Sequence, residues 1–534
     1  MSYNNSKRNI FLPIIIALSV TLGVLIGIVM PGRRVNTSLA VKPRTDKVGN
    51  LLSIIDAKYV DTVDRNAIEE KTIPFILHNL DPHSVYIPAR DLREMNEPLQ
   101  GNFEGIGVTF NMLADTVLII STIPGGPSEK VGVMAGDKII FVDDSLIAGQ
   151  GVADEEIIGM LKGPRGTEVT IRVLRKGSEG LLPFTIKRDK IPIYSVDVSY
   201  MIDDEIGFVK INRFALTTYD EFVEAVKELK QQGMKKLILD LRGNVGGVMD
   251  VATQIADEFL PAGKLIVYTE GKAYPREEAI STPRGLFLDG DLAILQDEWS
   301  ASASEILAGA IQDNDRGIII GRRSFGKGLV QEPIVFSDGS ALRLTIARYY
   351  TPTGRSIQKP YDNGFDEYNA DLFDRFYRRE NFALDSIKIA DTLKYITPQG
   401  KVVYGGGGIM PDYFIPSDTT GLTRYYMRIR NSGLIYRFAL QYSYDNSEVL
   451  KQFDNAAGIE AHLDRQELLT KFSIFAGENG VEGSRNDRQE SANIISIQIK
   501  AYIARNIIDN RGFYPIWQKL DTTLKEAIRI VSEN

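Results

Sequence analysis

The sequence predicts a multidomain α/β protein, and three observations carry that expectation. At 534 residues, with 43% hydrophobic and 25% charged side chains, the chain is globular in composition and too long for one core, so roughly three or four domains are expected. An uncharged apolar run lies near its start. After it the pattern changes from helical spacing to short β-branched runs broken by glycine, then to alternating strand and helix, and finally back to helix.

Ile10 to Met30 carries no charge and is bounded by Lys7-Arg8 and Arg33-Arg34. That length suits a transmembrane helix over 10–30, between a short tail at 1–9 and a linker at 31–44. A cleaved signal peptide is the competing reading, but its small-residue candidate, Ser38-Leu39-Ala40, lies well past the apolar run. Basic residues flank both ends, so charge alone sets no orientation.

Residues 45–96 read as helical, with Leu51, Ile54, Ile55, Ile73, Phe75, Ile76 and Leu80 at helical spacing. Residues 97–190 carry the β-branched runs Val117 to Ile120, Lys138 to Val142 and Val169 to Val173, the mark of a small β domain. Residues 191–418 alternate. Thr218 to Gln232 has Phe222, Val226 and Leu229 on one helical face, a capping box expected from Thr218 to Glu221, and a stop at Gly233. The buried strand Leu237 to Leu241 leads into the glycine turn Gly243 to Gly247. The stretch 361–403 is polar, aromatic and irregular, an excursion from this core. The remainder, 419–534, is a helical extension, with Ile495, Ile499, Tyr502 and Ile503 on one face and Leu524, Ile528 and Val531 on another.

Composition narrows the chemistry. A net charge of −8 lacks the basic excess that phosphate neutralisation demands, so nucleic acid is not an expected partner. With no cysteine and only three histidines, His78, His83 and His462, thiolate nucleophiles and HExxH zinc sites are absent, and no catalytic metal or cofactor is expected. A hydrolase of this composition would draw its base from Lys, Asp or Glu.

Two segments could hold such chemistry. Ser300-Ala301-Ser302-Ala303-Ser304-Glu305 follows a buried strand and opens a helix, where small neighbours admit a carbonyl and free N–H groups face it. The same residues would equally serve as a helix cap. Gly321 to Gly328 nearly spells a P-loop, but Gly328 has no hydroxyl for Mg²⁺, and the β-prone run after it contains Pro333 where a helix is required. Within it Lys327, flanked by glycines and apolar residues, is either an exposed loop lysine or a buried one whose desolvated amine could act as a base.

Taken together, the motifs resemble the carboxyl-terminal processing peptidases, a serine family with a Ser-Lys dyad and an embedded PDZ domain. The match spans roughly residues 45–418 and rests on six motifs in order. They are Leu80-Asp81-Pro82-His83-Ser84; Gly105-Ile106-Gly107-Val108; Leu239-Asp240-Leu241-Arg242-Gly243-Asn244 with Gly246-Gly247; the serine run at 300–305; Phe325-Gly326-Lys327-Gly328 with Gln331; and Gly408-Ile409 with Pro411-Asp412.

The resemblance implies a nucleophile at Ser302, a general base at Lys327 oriented by Gln331, and an oxyanion hole from the Ala303 N–H and one N–H of Gly246 or Gly247. It implies a PDZ domain over 97–190 whose Gly105-Ile106-Gly107-Val108 loop binds the free, apolar carboxyl end of a protein substrate, with Phe110 and Ile139 lining its pocket. For the anchor read at 10–30, it further implies that residues 31–534, the catalytic part included, lie on the periplasmic side of the membrane. The alternative is a PDZ scaffold that has lost its chemistry.

Overall fold

The computed structural model describes residues 46–387 and 393–533, so the predicted membrane helix at 10–30 lies outside the described residues. Among the described residues no helix is long and apolar enough to cross a membrane. The chain divides between Thr72 and Ile73. In the first unit the helix Lys47–Lys58 starts at Asp46, whose carboxylate accepts from Gly49 N at 2.9 Å. The apolar spacing yields the expected helix but not its burial, since Leu51 and Ile54 are exposed.

In the second unit the expected helical region is interrupted by a strand. Its motif Leu80 to Ser84 leads into the strand Val85–Ile87, which pairs with Ala341–Tyr350, and the next helix, Ala89–Gln100, runs past residue 96. A two-stranded ribbon follows, in which Asn102–Gly105 pairs antiparallel with Asp189–Pro192. Between those strands sits the β domain, an antiparallel sheet in the order Val108–Met112, Val117–Thr122, Lys138–Val142, Glu168–Leu174, Leu181–Lys187. Alternation makes this sheet: Val169, Ile171 and Val173 point inward onto Ile119, Ile139 and Ile186, while the residues between them face outward. Ile139 is wholly buried in that core, so it does not line an open pocket as expected.

The α/β core is built on a six-stranded sheet in the order Val196–Met201, Ile206–Ile211, Lys236–Asp240, Leu292–Gln296, Ile318–Gly321, Tyr413–Phe414. Only the first pair is antiparallel. The helices Thr218–Gln231, Met249–Asp257 and Ala303–Asp313 bury one face through Phe222, Val226, Ile255, Leu307 and Ile311. The other face is closed from the far end of the chain, where Leu524, Ala527, Ile530 and Val531 of Thr522–Glu533 pack on Phe208, Ile238, Ala293 and Ile320. The last helix of the extension is therefore a layer of the core. Residues 425–517 form a separate helical cluster around Phe438, Phe472, Ile499 and Ile503.

Two local expectations change. Thr218 does not cap its helix: its hydroxyl accepts from Ala215 N at 2.8 Å, and Glu221 turns instead to Ser195 N and Val196 N, at 2.7 and 3.0 Å. The neighbouring Thr217 occupies the cap position. The excursion at 361–403 is not irregular throughout, since Phe365–Tyr377 is a helix. The run after Lys327 is a strand, Leu329–Val335, paired with Ala341–Tyr350, which removes the P-loop reading.

Candidate active site

Strand Leu292–Gln296 delivers the serine run to the start of helix Ala303–Asp313. The three serines are not equivalent. Ser300 Oγ donates to Leu241 O and Ser304 Oγ to Asn244 O, each at 2.8 Å and each buried, so both pin the neighbouring turn. Ser302 stands at the helix cap with φ 55° and ψ −113°, a left-handed backbone that a non-glycine residue holds only under constraint. With Glu305 it forms a capping box across the helix start.

That constraint is Glu305, one turn into the helix and completely buried. Its Oε2 accepts from Ser302 N and from Lys327 N, both at 2.9 Å. Its Oε1 accepts from Ser324 Oγ at 2.5 Å and Gly326 N at 2.7 Å. Burial pushes this carboxyl above its ordinary range, against the pull of those hydrogen bonds. One carboxylate thus joins the backbone of Ser302 to the loop carrying Lys327. Tyr349 Oη makes a second bridge, donating to Ser302 O at 3.1 Å and to Lys327 O.

Lys327 is half-buried; its amine donates to Gln331 Oε1 at 3.2 Å and has no ion-pair partner among the described residues. Burial first, then the nearby Arg343, lowers it below the ordinary lysine value. Gln331 is held in turn, its Nε2 donating to His83 O. His83 sits on a turn made by Asp81, whose Oδ1 accepts from His83 N at 2.8 Å and Ser84 N at 2.9 Å. Ser302 Oγ and Lys327 Nζ are not hydrogen-bonded to each other; the amine faces Gln331.

Gly246 lies against the nucleophile. A Cβ there would fall 2.7 Å from Ala301 O and 2.8 Å from Ser302 Cβ, and its φ is +100°, so only glycine fits. Its N–H donates to Asn244 Oδ1 at 2.9 Å. Of the two glycines, Gly247 keeps an N–H without an acceptor among the described residues, as does Ala303 at the helix start. In the β domain, Ile106 O accepts from Ser128 Oγ at 2.6 Å and Gly107 O from Ile123 N at 3.0 Å. The Ile106 and Gly107 N–H groups are left without acceptors among the described residues, between Gly105 and Val108, with Gly107 at φ +73°. Paired free amides of this kind favour an anion.

Several functional residues carried no assignment from sequence. Glu305 sits three residues after Ser302, capping-box spacing that could have marked it. Tyr349 and Arg375 had no such signal. Arg375, in the excursion helix, donates to Ser324 O at 2.8 Å and Phe325 O at 2.9 Å, bracing the lysine loop from outside. Among the described residues no cluster of acidic or histidine side chains could hold a metal.

Because all four groups on Glu305 are donors, an amide at that position would set its NH₂ against two of them. Glu305→Gln should lower unfolding stability by roughly 2 to 5 kcal/mol, the scale for losing charge-assisted hydrogen bonds in a buried site. Equilibrium denaturation measures this, and a loss under about 1 kcal/mol would contradict the clamp.

Comparison with known proteins gives the family. Residues 205–365 match the model of peptidase family S41, residues 105–184 match that of the PDZ domain, and residues 425–509 match a family of unknown function. The carboxy-terminal-processing protease of Bartonella bacilliformis is 36% identical over 317 residues, covering 58% of this chain and 72% of that protein. A probable CtpA-like serine protease of Staphylococcus aureus strain N315 is 35% identical over 317 residues, 58% of this chain and 62% of its own length. Among solved structures, the photosystem II D1 C-terminal processing protease is 28% identical, with 58% of this chain and 83% of that one covered and a TM-score of 0.34. The chain belongs to the carboxy-terminal-processing proteases of peptidase family S41 and is a serine-type peptidase that carries a PDZ domain.

Proposed function

We propose that this enzyme captures the free carboxyl end of a protein substrate on its PDZ domain and cleaves the chain at Ser302, with Lys327 as general base. The observation that carries the reading is the state of Lys327: a half-buried amine below its ordinary pKa, bonded among the described residues to a neutral amide, on a loop fastened to the serine through Glu305. An amine so placed can be neutral at working pH, as a base must be.

In the proposed reaction the amine turns from Gln331 toward Ser302 and takes the Oγ proton as Oγ bonds to the peptide carbonyl carbon. The Ala303 and Gly247 N–H groups receive the oxyanion. The resulting ammonium returns its proton to the departing amine, the C–N bond breaks, and water then repeats the sequence on the acyl-enzyme. Upstream, the Ile106 and Gly107 amides hold the substrate's terminal carboxylate, and the tail adds as a strand beside Val108–Met112. We also propose that residues 10–30 anchor the chain in a membrane with the peptidase on the periplasmic side. The uncharged run with its basic flanks, and the family resemblance, support this.

Three outcomes check the reading. Ser302→Ala should abolish cleavage of an unstructured protein. Lys327→Arg should be as inactive as Lys327→Ala, because guanidinium stays protonated. In the parent, kcat/KM should rise with pH as Lys327 loses its proton, along an acid limb centred below the ordinary lysine value. An arginine variant retaining a tenth of parental turnover, or activity that falls over that limb, would mean that position 327 supplies only charge. For tail recognition, amidating a peptide substrate should lower kcat/KM by about tenfold, since one charge-assisted hydrogen bond is worth roughly 1 to 3 kcal/mol. Equal rates for acid and amide would exclude the Gly105 to Val108 loop as the receptor. For the anchor, the full chain should sediment with membranes after alkaline extraction and a chain lacking 1–44 should not; release of both would remove the anchor.

A further inference from the structure

The C-terminal extension reaches the catalytic turn from behind. Strand Lys236–Asp240 ends in a buried carboxylate, Leu241 and Arg242 follow, and then comes the turn Gly243 to Gly247. Arg242 folds back on Asp240, donating from N and Nε to Oδ1, each at 2.9 Å, and from one terminal nitrogen to Oδ2 at 2.7 Å. The other edge of the guanidinium meets Asp521, with two nitrogens on its two oxygens at 2.7 and 2.6 Å. Lys210 completes the set, 3.3 Å from Asp240 Oδ2 and donating to Arg242 O at 3.0 Å.

Asp521 is itself fixed. It precedes the helix Thr522–Glu533, and its Oδ1 accepts from Leu524 N at 2.9 Å. The pair is largely shielded, with 18% of the Arg242 side chain and 15% of the Asp521 side chain exposed. Burial opposes the charge on Arg242, yet the two carboxylates hold it well above its ordinary value.

A second contact from the same extension braces the other side of the turn. Tyr514 Oη donates to Asp197 Oδ2 at 2.9 Å, and Asn510 Nδ2 to Asp197 O at 3.2 Å. The other oxygen of Asp197 accepts from Asn212, and two residues on, Phe214 takes hold of the turn through Phe214 N to Gly246 O at 3.0 Å and Val248 N to Phe214 O at 2.8 Å.

We propose that the C-terminal extension is a working part of the peptidase site and that Asp521 is a positioning residue, setting the oxyanion turn through Arg242. The inference rests on the reading that the Gly247 and Ala303 N–H groups receive the oxyanion. A guanidinium held along two edges cannot pivot; held only by Asp240, it can, and the backbone that follows it moves with it. Such a shift leaves substrate binding intact and misplaces a donor that matters in the transition state.

The test uses the full chain and a free-acid peptide substrate. Asp521→Asn still caps the helix at Leu524 but removes the charge facing Arg242. It should lower kcat by about tenfold to a hundredfold, the scale for small misplacement of a catalytic group, with KM within about twofold. Combined with Arg242→Lys it should be no slower than Arg242→Lys alone, because both act through one contact. Gln518→Ala, which removes a different contact of the extension, Gln518 Oε1 with Tyr200 Oη at 2.8 Å, should leave kcat unchanged. If Asp521→Asn does not fold, Asp521→Glu replaces it, keeping the charge and shifting the carboxyl by one methylene, with the same expected loss. A folded Asp521 variant with parental kcat overturns the inference, as does an equal loss in Gln518→Ala. Parental cleavage that survives Ser302→Ala instead overturns the reading beneath it.

Discussion

The carboxylate of Glu305 is the interaction on which the site depends. It lies in the interior with no salt-bridge partner among the described residues, a placement that costs several kcal/mol for an ionised group. Four donors offset that cost, each worth about 1.5 to 3 kcal/mol when the acceptor is charged, and the helix start adds a favourable field. The balance closes only when all four are present. Ser302, Ser324, Gly326 and Lys327 are therefore fixed relative to one another, and the left-handed backbone at Ser302 persists because the carboxylate holds its N–H.

Further supports are arranged around that centre. Tyr349 closes the two carbonyls, Arg375 holds the outside of the lysine loop, and Asp81 turns His83 so that its carbonyl meets Gln331. Each comes from a different part of the chain. The nucleophile and lysine arise from one βα segment and the loop after the next strand, but the parts that aim them come from residues near 81, 349 and 375.

This separation explains what was legible in the sequence. Strand alternation in Glu168–Leu174 and helical spacing in Thr218–Gln231 are local, and both elements lie where the pattern places them. The motif order was sufficient to recognise the family. The roles of Ser300 and Ser304 were not legible, because their partners, Leu241 O and Asn244 O, lie about 60 residues away. Two adjacent threonines made the capping residue ambiguous, and packing put the hydroxyl of Thr218 to another use. The helix Phe365–Tyr377 was hidden by an inverted pattern: Phe373, Phe376 and Tyr377 are exposed, while its buried residues include Arg375. A hydrophobic period cannot reveal a helix whose inward face is charged.

The ribbon that frames the PDZ domain has a consequence for how such a chain can be built. Its four rungs, from Asn102 opposite Pro192 to Gly105 opposite Asp189, bring the departing and returning strands side by side. The module is thus an insertion with touching ends, closed by its own hydrogen bonds before it meets the peptidase. Sequence between the two strands can be exchanged, lengthened or re-tuned for another tail while the chain on either side keeps its register. Loop length within the insert adds only slowly to the entropy of closure, because the ribbon has already joined the ends. The recognition of a substrate and the chemistry performed on it are therefore free to diversify separately in this architecture.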